Sequence, residues 1–220
     1  MSDRSIEQML NNPPGVKGGS NMVRMSREDR RKQLLDAAIE AILEKGVAQA
    51  STRDVTRALG VGSGLLHHYF SSWADLRAEA VGLAARREID ELHRLIAEKP
   101  ALEALDYLAE WMVQDADMRH WRLWLNAQDE AHRDDRLADV MNVAIAEWRA
   151  LIASHLARAF EGAELYAADV DGAAWRLAAV IDGLAGAMLV RRATTSPKVA
   201  RALIEAQMKL EIDGLSAHCN

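Results

Sequence analysis

STRDVTRALGVGSGLLHHYF, residues 51–70, is the stretch on which the fold turns. Ser51 with Asp54 three residues later is a helix start signal: the serine caps a first-turn N–H while the carboxylate reaches back. The run TRDVTRAL that follows is closed by Gly60, where a left-handed backbone costs nothing. A second run starts at Ser63. Two short helices, 52–59 and 63–70, around a three-residue turn form the footprint of a helix-turn-helix. Val55, Leu59, Val61, Leu66 and Phe70 are expected to face inward. The outward face of the second helix then carries Ser63, Gly64, Leu65, His67 and His68, small at its leading end and polar beyond, which suits a major groove. His67 and His68 are neighbours, so on a helix they point about 100° apart. With no third ligand placed beside them, a metal site is disfavoured.

Helical periodicity extends in both directions. Upstream, Ser26 and Asp29 resemble a capping box, and Leu34, Leu35, Ala38, Ile39, Ile42 and Leu43 recur at three- and four-residue spacing until Gly46. Residues 1–24, with NNPPG and KGGS, have linker composition and read as a flexible tail, or equally as an over-long start before Met22 or Met25. Downstream, a long helix is expected from about Ser72 to Glu98. Further helices are expected near Ala101–Asp115, Met118–Arg133, Arg136–Phe160, Val170–Arg192 and Pro197–Ile212, the last capped by Ser196. No alternating strand segment, internal repeat or heptad array is present. The fold class is all-α.

Of the 220 residues half are hydrophobic and 27% are charged, ordinary for a globular chain. The lone cysteine, Cys219, rules out a disulfide within the chain and fits a reduced, cytoplasmic setting. The N-terminus has no apolar core of a secretory signal. The run Ala178–Val190 carries Asp182 and reads as too short to span a bilayer, so no membrane partner is expected. Net charge is −6, unevenly spread: Arg24–Phe70 carries +2 and everything beyond Phe70 carries −8. A mildly basic part precedes an acidic one, which suggests two jobs, one of them facing an anion.

The segment RRKQLLDAAIEAILEKGVAQASTRDVTRALGVGSGLLHHYFSSWADL, residues 30–76, resembles the N-terminal domain of the tetracycline-repressor (TetR) family of transcriptional regulators in order, spacing and turn glycine. LIASHLARAF and AAVIDGLAGAMLVRRA, further on, resemble the C-terminal domain of its choline-responsive BetI-like branch. The resemblance implies a three-helix DNA-binding domain on an all-α ligand-binding and dimerisation domain. It also implies a dimer on a palindromic operator that a small molecule releases. Carried over, it puts Thr52 and Arg53 on a phosphate, and Ser63, Gly64, Leu65 and His67 nearest base edges. His68 and Tyr69 would reach toward backbone phosphates. Two departures stand out. Gly62 replaces the usual Ser or Thr, removing a cap worth roughly 0.5–1 kcal/mol. Trp73 replaces the usual Lys, and packing over the helix junction is its favoured role.

Five of six tryptophans lie beyond Pro100. Met118, Trp121, Trp124, Leu125 and Gln128 share one helical face, which by itself reads as core. The sharper reading is an aromatic-walled pocket: Trp111, Trp121, Trp124 and Trp175, with Gln128 and an acid such as Asp117, Asp129 or Glu130, would hold a quaternary ammonium or another cation by cation–π contact. Asn126 and Gln128 would instead orient an uncharged polar ligand. Asp129 and His132 sit three apart on one face, weak evidence for a metal, and surface charge is the default. Neither a metal nor a cofactor is expected. Nothing resembles H-E-x-x-H, G-x-S-x-G, a P-loop or G-x-G-x-x-G, so no enzyme machinery is visible. Small residues between Gly172 and Met188, with a second apolar stripe from Val199 to Leu210, favour an interface. Ala178, Ile181, Ala185, Leu203 and Leu210 are its expected residues, and the family resemblance implies a four-helix bundle there.

The resulting expectation is a tail over 1–24, a helix-turn-helix domain over 25–71 and a helical ligand-binding and dimerisation domain over 72–220. The chain is then a homodimeric repressor of a double-stranded DNA operator. Its inducer would tilt the long helix starting near Ser72 and respace the two recognition helices. The rival is a cytosolic helical enzyme or small-molecule carrier with a vestigial DNA-binding domain. Activation rather than repression is a second alternative.

Overall fold

The structure is a computed structural model and describes residues 26–114, 118–160 and 167–217. The expectations for residues 1–24, Asp117 and Cys219 lie outside these. Among the described residues there are nine helices and no strand: α1 (Arg27–Lys45), α2 (Thr52–Leu59), α3 (Ser63–His67), α4 (Trp73–Ile96), α5 (Ala101–Gln114), α6 (Arg119–Ala131), α7 (Asp135–Arg158), α8 (Ala167–Leu189) and α9 (Pro197–Ala217).

The first three helices form where local chemistry dictates. Ser26 Oγ accepts the Asp29 backbone N–H at 2.9 Å and donates to Asp29 Oδ2 at 2.7 Å, which starts α1. At its end Gly46 has φ +90° and returns its N–H to the Ile42 carbonyl at 2.8 Å. The Ser51–Asp54 capping box opens α2, and Gly60 closes it in a left-handed conformation, φ +65°. Leu34, Leu35, Ala38, Ile39 and Ile42 of α1 are buried against Val55, Leu66 and Phe70. Leu59 and Val61, expected inside, are half-buried. The second short helix stops at His67 rather than Phe70: His68 and Tyr69 form a turn that drops Phe70 into the core, its N–H still on the Leu66 carbonyl at 2.9 Å. Trp73, at the first position of α4, is half-buried and packs on the core.

Beyond Ser72, α4 runs from this unit into a helical body in which it packs on α7, α7 on α8, and α8 on α9, with α5 against α7 and α9. The α4–α7 contact is close. A Cβ on Gly82 would lie 2.7 Å from Val140 Cγ1, so only glycine fits without movement. Two ion pairs cross the same seam near the helix starts, Arg77–Asp134 at 2.6 Å and Arg136–Asp75 at 2.6 Å. Asp134 also caps α7 by accepting the N–H groups of Arg136 and Leu137. Burial alone would raise its pKa. The Arg77 guanidinium and the two backbone donors outweigh that and hold the carboxyl below its ordinary value.

The interface expectation needs correction on α8. Ala178, Ile181 and Ala185 are buried within the protomer's own core, whereas Leu203 (49% exposed) and Leu210 (65% exposed) do lie on the surface of α9. Helix α8 is apolar around most of its circumference, so sequence pattern selects no face; packing on α6 and α7 takes the 178–181–185 stripe and leaves Trp175, Ala179 and Gly183 outside. The apolar stretch is also longer than read from sequence: Asp169–Leu189 is long and apolar enough to cross a membrane by length and composition, with a third of its length (33%) buried inside the protein.

Gly82→Ala is expected to lower Tm, because an overpacking cost of about 1–3 kcal/mol outweighs a helix-propensity gain of about 1 kcal/mol. Adding Val140→Ala should recover part of the loss, which thermal unfolding of the three proteins checks. Asp134 should act through pH. Its folded pKa is depressed, so the stability it contributes is present above the ordinary carboxylate range near about 4 and is lost as pH falls through the lower folded value. Asp134→Asn should therefore reduce stability at pH 7 and flatten its fall in acid, measured by denaturant titration across pH.

Candidate functional site

Two surfaces concentrate chemistry. The first is the outer face of α2 and α3. Leu66 and Phe70 pin α3 from below, and this turns Ser63, Gly64, His67 and His68 fully outward, with Leu65 and Tyr69 half-exposed at the edges. Thr52 is half-buried at the start of α2 and Arg53 is exposed beside it. All eight residues expected at a DNA surface thus lie on this unit. Gly64 has open space around the place a Cβ would occupy, so nothing inside the protein requires a glycine there. Its smallness matters only to something approaching from outside. Among the described residues no group of three or more His, Cys, Asp or Glu side chains is placed to hold a metal ion.

The second is a partly open cavity of about 230 Å³ between α1, α4, α5, α6 and α7. Trp111, Trp121, Trp124 and Trp148 line it together with His120, which tilts between Trp111 and Trp121 at ring distances of 5.1 and 5.2 Å. The Trp121 indole N–H donates to the Met112 carbonyl at 3.0 Å and the Trp124 N–H to Asp182 Oδ2 at 3.4 Å; that of Trp148 is buried. With their N–H groups spent on protein acceptors, Trp121 and Trp124 offer the cavity carbon and π surface, whereas the buried Trp148 N–H has no protein acceptor among the described residues. Charge enters from Glu40, Arg87 and Glu88. Arg87 pairs with Asp36 at 2.7 Å and Glu40 with Arg119 at 3.0 Å. An apolar aromatic wall with carboxylates at its edge suits an organic cation.

Sequence reasoning placed three of its five pocket residues, Trp111, Trp121 and Trp124, on this cavity. It missed Trp148, whose signal was only a buried-type residue on α7, and the contributions of α1 and α4, which no local pattern announces. Gln128 lies behind the wall and donates to Asp182 Oδ2 at 3.5 Å. Trp175 is 47% exposed on the far side of α8, under the Arg149 guanidinium at 4.6 Å, because its turn of the helix faces out. Asp129 and Glu130 pair with Arg133, and Asn126 donates to the Arg122 carbonyl; none of the three lines the cavity. Asp182 does not line it either. Burial pushes its carboxyl pKa up, against the opposing hydrogen bonds from Trp124 and Gln128.

Comparison with known proteins gives the same two halves. Residues 34–80 match the family described as bacterial regulatory proteins, tetR family, and residues 101–213 match the BetI-type transcriptional repressor C-terminal family. The HTH-type transcriptional regulator PksA of Bacillus subtilis is 28% identical over 166 residues, 73% of this chain and 79% of that one. Among solved structures, a putative transcriptional regulator from Pseudomonas aeruginosa PAO1 superposes with a TM-score of 0.72 at 24% identity, over 91% of this chain and 99% of that one; at that identity it speaks to fold. A putative transcriptional regulator from Saccharomonospora viridis in complex with choline gives a TM-score of 0.67 at 26% identity, over 83% and 97%.

Replacing Gly64 by Leu should leave thermal stability unchanged or slightly raised, since helix propensity improves by up to about 1 kcal/mol and nothing is displaced. The same change should abolish tight DNA binding by fluorescence anisotropy. Wild-type DNA affinity in a folded Gly64→Leu protein would remove α3 from the interface.

Proposed function

The chain belongs to the TetR family of transcriptional regulators, with a BetI-type C-terminal region, and we propose that it is a homodimeric repressor whose operator is released when an organic cation enters the tryptophan-walled cavity. The family is one of DNA-binding regulators, so the rival of an enzyme with a vestigial N-terminal domain is set aside. The observation that carries the ligand reading is the cavity itself: four tryptophans, two of whose N–H groups are held by protein acceptors, with Glu40, Arg87 and Glu88 at its edge. The Saccharomonospora viridis relative was crystallised with choline, a cation of the class such walls favour.

Dimerisation is supported by apolar surface that α9 and α8 leave uncovered. Val199, Leu203 and Leu210 recur along one face of α9, and Trp175 stands exposed on α8. Joining two such faces about a two-fold axis gives a self-complementary interface. The recognition helices would then be presented roughly 34–36 Å apart, one DNA turn, to a palindromic site. In this reading residues 25–71 bind DNA, residues 72–220 bind inducer and partner, and the protein works in the cytoplasm, where its operator is. Thr52 and Arg53 hold phosphate, Ser63, Gly64, Leu65 and His67 approach bases, and His68 and Tyr69 flank the backbone. Release follows if the cation binds the conformation with wrong half-site spacing better than the operator-bound one.

The test is choline titration followed by tryptophan fluorescence, with a parallel measurement of binding to the DNA flanking the gene. Saturable quenching and loss of DNA binding are expected together. Trp121→Leu should weaken choline binding about tenfold or more. No choline response, with release by a neutral apolar compound instead, would sink the cationic inducer. Absence of salt-sensitive DNA binding would sink the repressor.

A further inference from the structure

The cavity is not confined to the C-terminal body. Ile39, Glu40 and Leu43 of α1, the helix that carries the core of the DNA-binding unit, line it together with Trp121, Leu123 and Trp124 of α6, which packs on α1. The same Glu40 ties α1 to the start of α6 through Arg119, and one helical turn earlier Asp36 ties α1 to Arg87 of α4. We infer that α1 itself reads the occupant: a ligand in the cavity wedges Ile39 and Leu43 away from α6 and draws Glu40 off Arg119. The helix-turn-helix unit is thereby shifted without waiting for α4 to tilt. For its second part, the charge competition at Glu40, this inference rests on the cationic-inducer reading above.

Rigid packing supports the transmission. α1 buries Leu34, Leu35, Ile39 and Ile42, and the same helix seals Val55, Leu66 and Phe70, so displacing it carries α2 and α3 along. An ion pair as exposed as Glu40–Arg119, with 69% of the Glu40 and 49% of the Arg119 side chain in water, contributes little alone. The apolar contacts of Ile39 and Leu43 therefore take the larger share of the coupling, and the ion pair marks where α1 and α6 meet.

Charge reversal tests this without any ligand. Glu40→Arg sets two cations against each other across the α1–α6 junction at an exposed position that the fold does not need. It also adds positive charge to the DNA-binding unit, which by itself strengthens DNA binding. A fall in affinity therefore reports geometry. In the full-length protein the expected results are faster hydrogen exchange in the second half of α1 and DNA affinity about threefold lower or more. Glu40→Arg combined with Arg119→Glu should restore both. Unchanged exchange in the single variant, affinity at or above wild type, or no recovery in the double variant overturns the inference. Choline binding by the wild-type protein, read by fluorescence, decides the inducer reading separately, since neither variant enters that measurement.

Discussion

One helix with two buried faces holds this molecule together. α1 places Leu34 and Ile42 almost wholly out of water, each worth about 1.5–3 kcal/mol of transfer free energy. The three-helix unit it closes is too small to assemble a large core of its own, since units of this size bury little of their surface. Its stability is therefore shared with α4 and α6, and the ion pairs Arg31–Glu79, Asp36–Arg87 and Glu40–Arg119 mark where that sharing occurs. A DNA-binding unit that borrows stability from the helical body cannot be energetically independent of that body's packing.

Much of the fold was legible in the sequence because it is specified locally. Ser26, Ser51 and Ser72 cap helices through their own first turns, and Gly46 and Gly60 end helices by backbone conformation; such signals act over three or four residues. α2 matches its expected bounds because both ends carry them. α3 was expected three residues too long because tertiary burial of Phe70, not any local stop signal, ends it.

The cavity was half legible for the same reason. Trp121 and Trp124 announce themselves on one face of α6, while Ile39, Glu40, Leu43 and Glu88 come from helices whose proximity only the packed structure creates. The error on α8 is instructive too. A helix with apolar residues on most sides gives no periodic signal, so Ile181 and Ala185 read from sequence as interface residues, and neighbouring helices of the same chain bury them. Asp182 is the polar exception on that helix. It anchors Trp124 from outside the cavity, so the ring wall and the outer helix pair meet in one side chain.

The tight passage of Gly82 across Val140 also fixes a gearing. It leaves no room for even a Cβ between α4 and α7 at that point, so α4 would pivot there if it rocked. At 1.5 Å per residue, the cavity-lining stretch of α4 from Ala84 to Leu92 lies about 3–15 Å to one side of that fulcrum and the start of α4 about 14 Å to the other. Such a lever reverses direction, and its advantage depends on where it is pushed. A push beside Ala84 would be enlarged several-fold at Trp73, whereas the same push at Leu92 would arrive there unamplified.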